Sequence, residues 1–297
     1  MTWHVPVLAR IIVGNILTQI ILKKMVGLPS RARRFVWQFA FCALFGLVGV
    51  ACTTTAPPRA AVLIAIACIG IVNSAGAWCQ WRAMDISQSR TAVFTWADDL
   101  IAMGLGYAIL AESKFLNWQL TIGVLVCVAA SVAFPLTERW RIRGADTAPT
   151  PWSLFKWIAI YSVIWGGALF AMRYYGIKES VPISWFCAAW YSGSLLGAIC
   201  VYAFLDSKER GAPLTVRGLM STAVLAAFVG TTLALAYWSR VLAPITVVQP
   251  IQQVSEMVCP ALVGLYVFKE ARQLSWTGKI LFAVAMIGGV LIALSFS

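Results

Sequence analysis

The chain has 297 residues, of which 61% are hydrophobic and only 11% are charged, and its mean hydropathy is +0.82. These values exclude a soluble globular domain and indicate an integral membrane protein. The net charge of +12 does not indicate nucleic-acid binding, because the Lys and Arg residues fall in short connections and at helix ends rather than on one surface.

Ten apolar segments, each of the length that a membrane-spanning helix needs, follow one another along the chain. They are Val5–Leu22, Phe35–Cys52, Ala60–Trp81, Thr91–Leu110, Trp118–Leu136, Leu154–Met172, Ile183–Leu205, Gly218–Trp238, Ile245–Phe268 and Thr277–Phe296. The sequence therefore predicts an all-α integral membrane protein with ten transmembrane helices. No basic region precedes the first segment, which we read as a retained span rather than a signal peptide.

The cysteines and the single histidine do not form a metal or catalytic motif. Eight cysteines lie within the apolar segments without a C-x-x-C pair, and His4 stands alone near the N-terminus. We interpret the cysteines as small buried hydrophobic residues. The sequence thus predicts no disulfide, no metal site, no cofactor and no enzyme activity.

A polar connection, Thr137–Ser153, divides the chain into residues 1–136 and 154–297. Residues 158 positions apart match at the predicted span boundaries in one ungapped register: Arg59 with Arg217, Arg82 with Arg240, Lys114 with Arg272, Leu116 with Leu274 and Trp118 with Trp276. Because each half holds five spans, an odd number, the sequence predicts two inverted five-helix repeats.

The ninth predicted span carries a polar stripe. Gln249, Gln253, Glu256 and Pro260 recur at helical spacing and so lie on one face. The 158-residue register pairs Glu256 with Asp98 of the fourth span. Ionisable groups at membrane depth usually face a bundle interior or a wet cavity, so both carboxylates are candidate substrate or coupling groups.

Three roles remain open for Asp98 and Glu256: exchanging a proton, binding a cationic substrate, or pairing with Arg or Lys from a neighbouring span. Asp99 follows Asp98 directly. Neighbouring residues on a helix point about 100° apart, so we expect the two aspartates to face different places. The repeat register favours Asp98 for the site, with Asp99 paired to an Arg or to water.

Further polar and aromatic residues are candidates with structural alternatives. Gln252 either lines the site with Gln249 and Gln253 or bridges helices. Asn15 and Gln19 form a short stripe on the first span, whose counterpart is Trp165-Gly166-Gly167, typical of close helix packing. The deep aromatic residues either stack on a substrate or pack against lipid; they are Trp96, Tyr107, Trp165, Trp190 and Tyr191.

The basic residues limit the substrate class and bear on orientation. Arg82 and Arg240 either act as gate residues that pair with acids in one state or, as we expect, snorkel from span ends. The deep positions show no Lys or Arg, which favours an amine or amino acid over an anionic sugar phosphate. Seventeen Lys and Arg residues lie on one predicted side and six on the other. The positive-inside rule then places both termini outside.

Two segments, Ala111–Ser131 and Lys269–Gly289, each have a Glu at a span end that is followed by a short loop and a small-residue span. Together with Ala234–Pro250, they resemble the drug/metabolite transporter superfamily, specifically its ten-span EamA-like branch. The resemblance implies both termini inside, the reverse of the charge bias. Both arguments place the termini on the same side.

The resemblance also implies a secondary transporter of the cell inner membrane that exports or exchanges a small metabolite by alternating access. Proton coupling through Glu256 and Asp98 is one option. An uptake permease or facilitative carrier, a channel and a membrane-embedded enzyme are the alternatives.

Overall fold

A computed structural model describes residues 3–88, 91, 96–111, 117–119, 121–123, 125–126, 129–130, 133, 151–205, 211–243, 245–268 and 276–294, for some of them as backbone only. Within these residues helix is the only regular secondary structure. The predicted all-α class is therefore confirmed for the part of the chain that the structure describes.

The helices are numbered in chain order. They are α1 (His4–Val26), α2 (Arg31–Ala51), α3 (Ala60–Ile86), α4 (Trp96–Leu110), α5 (Pro151–Ile177), α6 (Ile183–Phe204), α7 (Val216–Leu242), α8 (Ile245–Leu262) and α9 (Trp276–Leu294). The middle of α1, Ile11–Thr18, is π-helical, and a π-helical turn, Val263–Val267, follows α8.

Six of the described helices, α1–α3 and α5–α7, are long and apolar enough to cross a membrane. They coincide with predicted spans one to three and six to eight. Large apolar side chains such as Ile64, Val163 and Leu196 are exposed on them, which suits contact with lipid rather than water. The chain is therefore a multi-pass membrane protein. Helices α4, α8 and α9 coincide with predicted spans four, nine and ten, while nine of the 19 residues of the fifth predicted span lie outside the described residues.

The chain divides into two compact units. Unit 1 comprises Met1–Trp81 and Ala171–Ala243, and unit 2 comprises Arg82–Phe170 and Pro244–Ser297. Each unit therefore combines segments from both sequence halves. The predicted division into residues 1–136, 137–153 and 154–297 describes a sequence repeat and stays a prediction.

Small residues bring the helices of unit 1 into backbone contact. A Cβ atom on Gly193 of α6 would overlap the carbonyl oxygen of Ala67 in α3, and one on Gly197 would lie 2.5 Å from the carbonyl oxygen of Ile71. The Ser194 hydroxyl donates to the carbonyl oxygen of Gly70 at 3.0 Å. Because these contacts advance together along both helices, α3 and α6 run parallel, packed as small-residue interfaces pack in membranes.

Helix α2 lies against α6 and α7 within the same unit. It runs antiparallel to α6, with Gly46 against the backbone of Ala188. It runs parallel to α7, since Arg34 donates to the carbonyl oxygen of Gly218 at 3.5 Å and, two turns later, the Cys42 thiol donates to that of Ala226 at 3.4 Å. Polar side chains of unit 1 thus bond backbone carbonyls of neighbouring helices.

The apolar core of unit 2 joins three of its segments. Buried Ala83 near the end of α3 packs with Leu154 and Ile158 of α5, and Leu281 of α9 packs against this group.

We predict that Gly193→Ala destabilises the protein by about 1–3 kcal/mol, because the added methyl group overlaps the α3 backbone, which must move. The matched control is Gly230→Ala in α7, where a Cβ atom meets nothing within 4 Å. That control should cost nothing or stabilise by up to about 1 kcal/mol. Thermal unfolding of the purified variants in detergent measures the difference, and equal midpoints would contradict the described α3–α6 contact.

Candidate functional site

Three carboxylates meet in unit 2. Asp98 and Asp99 of α4 and Glu256 of α8 each place one carboxylate oxygen so that these atoms all lie within 4.8 Å of one another. Asp98 is 0% exposed and Asp99 is 1% exposed, whereas Glu256 is half-buried. The pairing of Asp98 with Glu256, which the sequence register suggested, thus corresponds to proximity within one unit.

The expectation that Asp98 and Asp99 face different places is wrong. Their side chains leave the helix about 100° apart, but a group on a facing helix that lies between the two directions can meet both. Glu256 of α8 is that group, because one of its oxygens lies within 4.8 Å of an oxygen of each aspartate. Asp99 therefore belongs to the cluster, which we call the carboxylate cluster.

The Asp98 carboxylate is enclosed on all sides. Its Oδ1 atom accepts a hydrogen bond from the backbone N–H of Asp99 at 3.1 Å. Its Oδ2 atom is shielded from solvent and accepts no hydrogen bond from any residue that the structure describes. Two unit charges at the spacing of this cluster repel by about 3 kcal/mol at an effective dielectric constant near 20. The cluster can therefore lower its free energy by taking up protons or a cation.

Close packing holds Asp98 in place. A Cβ atom on Gly166 of α5 would lie 2.6 Å from the carbonyl oxygen of Asp98 and 2.7 Å from the Cβ of Ile101. The close packing that the sequence indicated at Trp165-Gly166-Gly167 is confirmed at Gly166, while a Cβ atom on Gly167 would meet nothing within 4 Å. Trp165 is half-buried, and its ring stacks on Tyr161 with centroids 6.4 Å apart.

Further polar side chains accompany the cluster on α8. Gln252, one turn before Glu256, is completely buried. Ser255 is also buried, and its hydroxyl donates to the carbonyl oxygen of Gln252 at 2.7 Å. The side chains of Gln249 and Gln253 lie outside the described part of the chain, so their place on this face stays a prediction.

The sequence reasoning missed four buried polar residues of unit 2: Ser87, Gln88, Ser162 and Ser255. The available signal was spacing, since Ser255 falls three residues after Gln252 and Ser162 falls four before Gly166. A stripe that includes serine is easily read as ordinary small-residue packing.

The aromatic candidates do not join the carboxylate cluster as a group. Tyr107 is half-buried in α4, but it follows Asp98 by nine residues, a rise of about 13 Å along the helix. The side chain of Trp96 lies outside the described part of the chain. Stacking of these rings on a substrate stays a prediction.

Asn15 and Gln19 belong to unit 1. Asn15 is buried within the π-helical part of α1, and Gln19 is half-buried where the α-helical conformation resumes. Single π-helical turns are frequent at functional sites. A role of these two residues in binding substrate stays a prediction.

Three arginines are buried in unit 1, which the sequence argument for an amine or amino acid did not anticipate. Arg10, Arg173 and Arg240 are buried in unit 1, and Arg240 is 0% exposed, so it does not snorkel. The Arg173 guanidinium donates to the carbonyl oxygens of Arg240 and Ala243 at the end of α7, and Arg240 donates to that of Ala236 at 2.9 Å. Carbonyls in the last turn of a helix have no intrahelical donor, which is why the Arg173 guanidinium can be buried where α7 ends. The substrate argument therefore rests on the carboxylates alone.

Comparison with known proteins found a similar structure but no matching family. No family model matches the chain, and no curated protein matches it. Nineteen solved chains match. One of them, described only as "Crystal structure of protein", aligns with a TM-score of 0.62 over 98% of this chain and 96% of its own, at 16% identity. At that identity the likeness shows a shared fold and nothing about activity.

We predict that Gly166→Ala destabilises the protein by about 1–3 kcal/mol, because the methyl group meets the α4 backbone at Asp98 and has no room there. Gly167→Ala is the matched control on the adjacent residue, with open space around the added atom. It should leave stability unchanged or raise it by up to about 1 kcal/mol. Thermal unfolding in detergent measures both, and a larger loss for Gly167→Ala would show that α5 and α4 do not pack as described.

Proposed function

We propose that this chain is a secondary active transporter of a small cationic or zwitterionic metabolite, such as an organic amine or an amino acid, working by alternating access. The observation that carries the proposal is the carboxylate cluster in a multi-pass membrane protein. Carboxylates buried at membrane depth are costly and mark substrate or ion pathways.

The proposed architecture is ten transmembrane helices in two inverted five-helix repeats. An inverted repeat relates span three to span eight and span seven to span two. In helix labels, the contact of α3 with α6 then corresponds to the contact of α7 with α2. In support, unit 1 contains both contacts, and each pair runs parallel. The sequence resemblance to the EamA-like branch points the same way. We further propose the inner membrane, with both termini on one side and export or exchange as the direction.

The carboxylates differ in their access to solvent, which suggests a division of roles. Glu256 is half-buried, whereas Asp98 is completely enclosed. A cationic group arriving at the cluster therefore reaches Glu256 first, and Asp98 supplies charge that no described donor neutralises at Oδ2. A carboxylate of this kind can bind a cation in one state and a proton in the next, as coupled exchange requires.

The test begins by finding the substrate. A thermal-shift screen of the purified protein against amines, amino acids, nucleosides and organic acids identifies ligands, because a ligand that binds only the folded state raises its stability. Counterflow of the labelled ligand in proteoliposomes then separates a carrier from a channel or an enzyme. An imposed pH gradient separates proton-coupled transport from a facilitative carrier.

We predict that Glu256→Gln and Asp98→Asn each reduce counterflow at least tenfold at equal protein content, since each removes a charge that binds the substrate, and tenfold corresponds to about 1.4 kcal/mol. The control is Glu179→Gln, which removes a carboxylate that pairs with exposed Arg59 at 3.2 Å in unit 1. It should transport like the wild type. Unchanged counterflow and pH dependence in Glu256→Gln would refute the role given to the cluster.

A further inference from the structure

The carboxylate cluster has a composition and spacing that suit a metal ion. We propose that Asp98, Asp99 and Glu256 form a binding site for one divalent cation of the oxygen-binding class, the size of Ca²⁺. Its part in transport would rest on the proposed function, but the binding itself requires no transport.

The spacing of the oxygens sets the size of the ion. The three ligand atoms all lie within 4.8 Å of one another. Oxygen ligands lie about 2.3–2.6 Å from Ca²⁺, so two of them on one ion can be up to about 5 Å apart. Around Mg²⁺, at about 2.0–2.1 Å, they can be only about 4.2 Å apart. At the widest spacing that this limit allows, two of the oxygens can share Ca²⁺ but not Mg²⁺, so a spacing near the limit favours the larger ion.

The ligand set also fits by chemistry. Carboxylate oxygens are hard ligands that suit Mg²⁺, Ca²⁺ and Mn²⁺ rather than metals that prefer thiolate or imidazole. Three carboxylates offer up to six oxygens, and two come from consecutive residues of one helix, which limits their relative movement. A divalent ion cancels two of the three negative charges, whereas a single ammonium group cancels one.

The burial of Asp98 is an independent observation that points to a ligand. Its side chain is 0% exposed, and its Oδ2 atom is shielded with no hydrogen-bond donor among the described residues. An acceptor buried without a donor is costly. A cation in the cluster would contact this carboxylate through one of its oxygens and so offset the negative charge that is buried there.

The surrounding packing keeps Asp98 at this position. Gly166 lets α5 approach the backbone of α4 at Asp98 itself. A binding site is effective when its ligands are held close to the bound geometry before the ion arrives. The close α4–α5 contact supplies such a constraint on one of the three ligands.

The experiment uses the full-length protein in detergent with MnCl₂ as the probe. Free Mn²⁺ gives a six-line electron paramagnetic resonance signal that decreases on binding, so titration gives the stoichiometry and affinity. We expect one Mn²⁺ per chain, displaced by Ca²⁺ at lower concentration than by Mg²⁺. Asp99→Asn and Asp98→Asn should each weaken Mn²⁺ binding at least tenfold.

Two controls remove a carboxylate elsewhere. Asp85→Asn alters an exposed aspartate near the end of α3 in unit 2, and Glu179→Gln alters the ion-paired glutamate of unit 1. Both should bind Mn²⁺ like the wild type. Thermal unfolding without metal checks that the Asp99→Asn variant is folded. A folded Asp99→Asn variant with wild-type Mn²⁺ affinity would overturn the proposal, as would the absence of Mn²⁺ binding to the wild type.

The outcome can be separated from that of the transport test. Mn²⁺ binding that depends on Asp99, in a protein without counterflow, would support the metal site and count against the carrier. Counterflow that depends on Glu256, without Mn²⁺ binding, would support the carrier with an amine or a proton at the cluster and overturn the metal site.

Discussion

Mutual repulsion among three carboxylates is the constraint on which the chemistry of this protein depends. Two of them are cut off from solvent in a chain that is 61% hydrophobic, so water cannot screen their charges. Protons or a cation at this point would relieve that repulsion, and their binding would then be linked to the stability of α4 and α8. A group whose charge must be balanced is also one that can exchange its partner, which is the basic requirement of a coupled carrier.

The two units treat their polar groups differently. In unit 1 the hydroxyls of Ser194 and Tyr237 and the guanidinium of Arg173 donate to backbone carbonyls of other segments. These bonds join helices where lipid offers no alternative partner. In unit 2, α4 and α8 bring acidic side chains together instead. Side chain–backbone hydrogen bonds thus join the helices of unit 1, and unit 2 holds the carboxylate cluster.

The buried arginines show why residue type alone is a poor guide to substrate. Arg173 and Arg240 look like charges available to an anionic ligand, but each donates to carbonyls in the last turns of α7. A guanidinium can be buried without an anion when a helix end supplies acceptors in the right directions. Burial of a charged side chain therefore indicates a ligand site only after its bonds have been assigned, and in this chain Asp98 meets that condition.

The sequence by itself determined the all-helical membrane character, because runs of apolar residues of spanning length leave few other structures. It also singled out Asp98 and Glu256, since carboxylates in such runs are conspicuous, and it located the close packing at Gly166. Only the tertiary structure decided that Asp99 joins them, that Ser162 and Ser255 are buried in unit 2, and that Arg240 is enclosed. These facts depend on which helix faces which. A position on a helical wheel gives a direction from one axis, but the meeting of two side chains depends on the distance and rotation of the second helix, which no local pattern records.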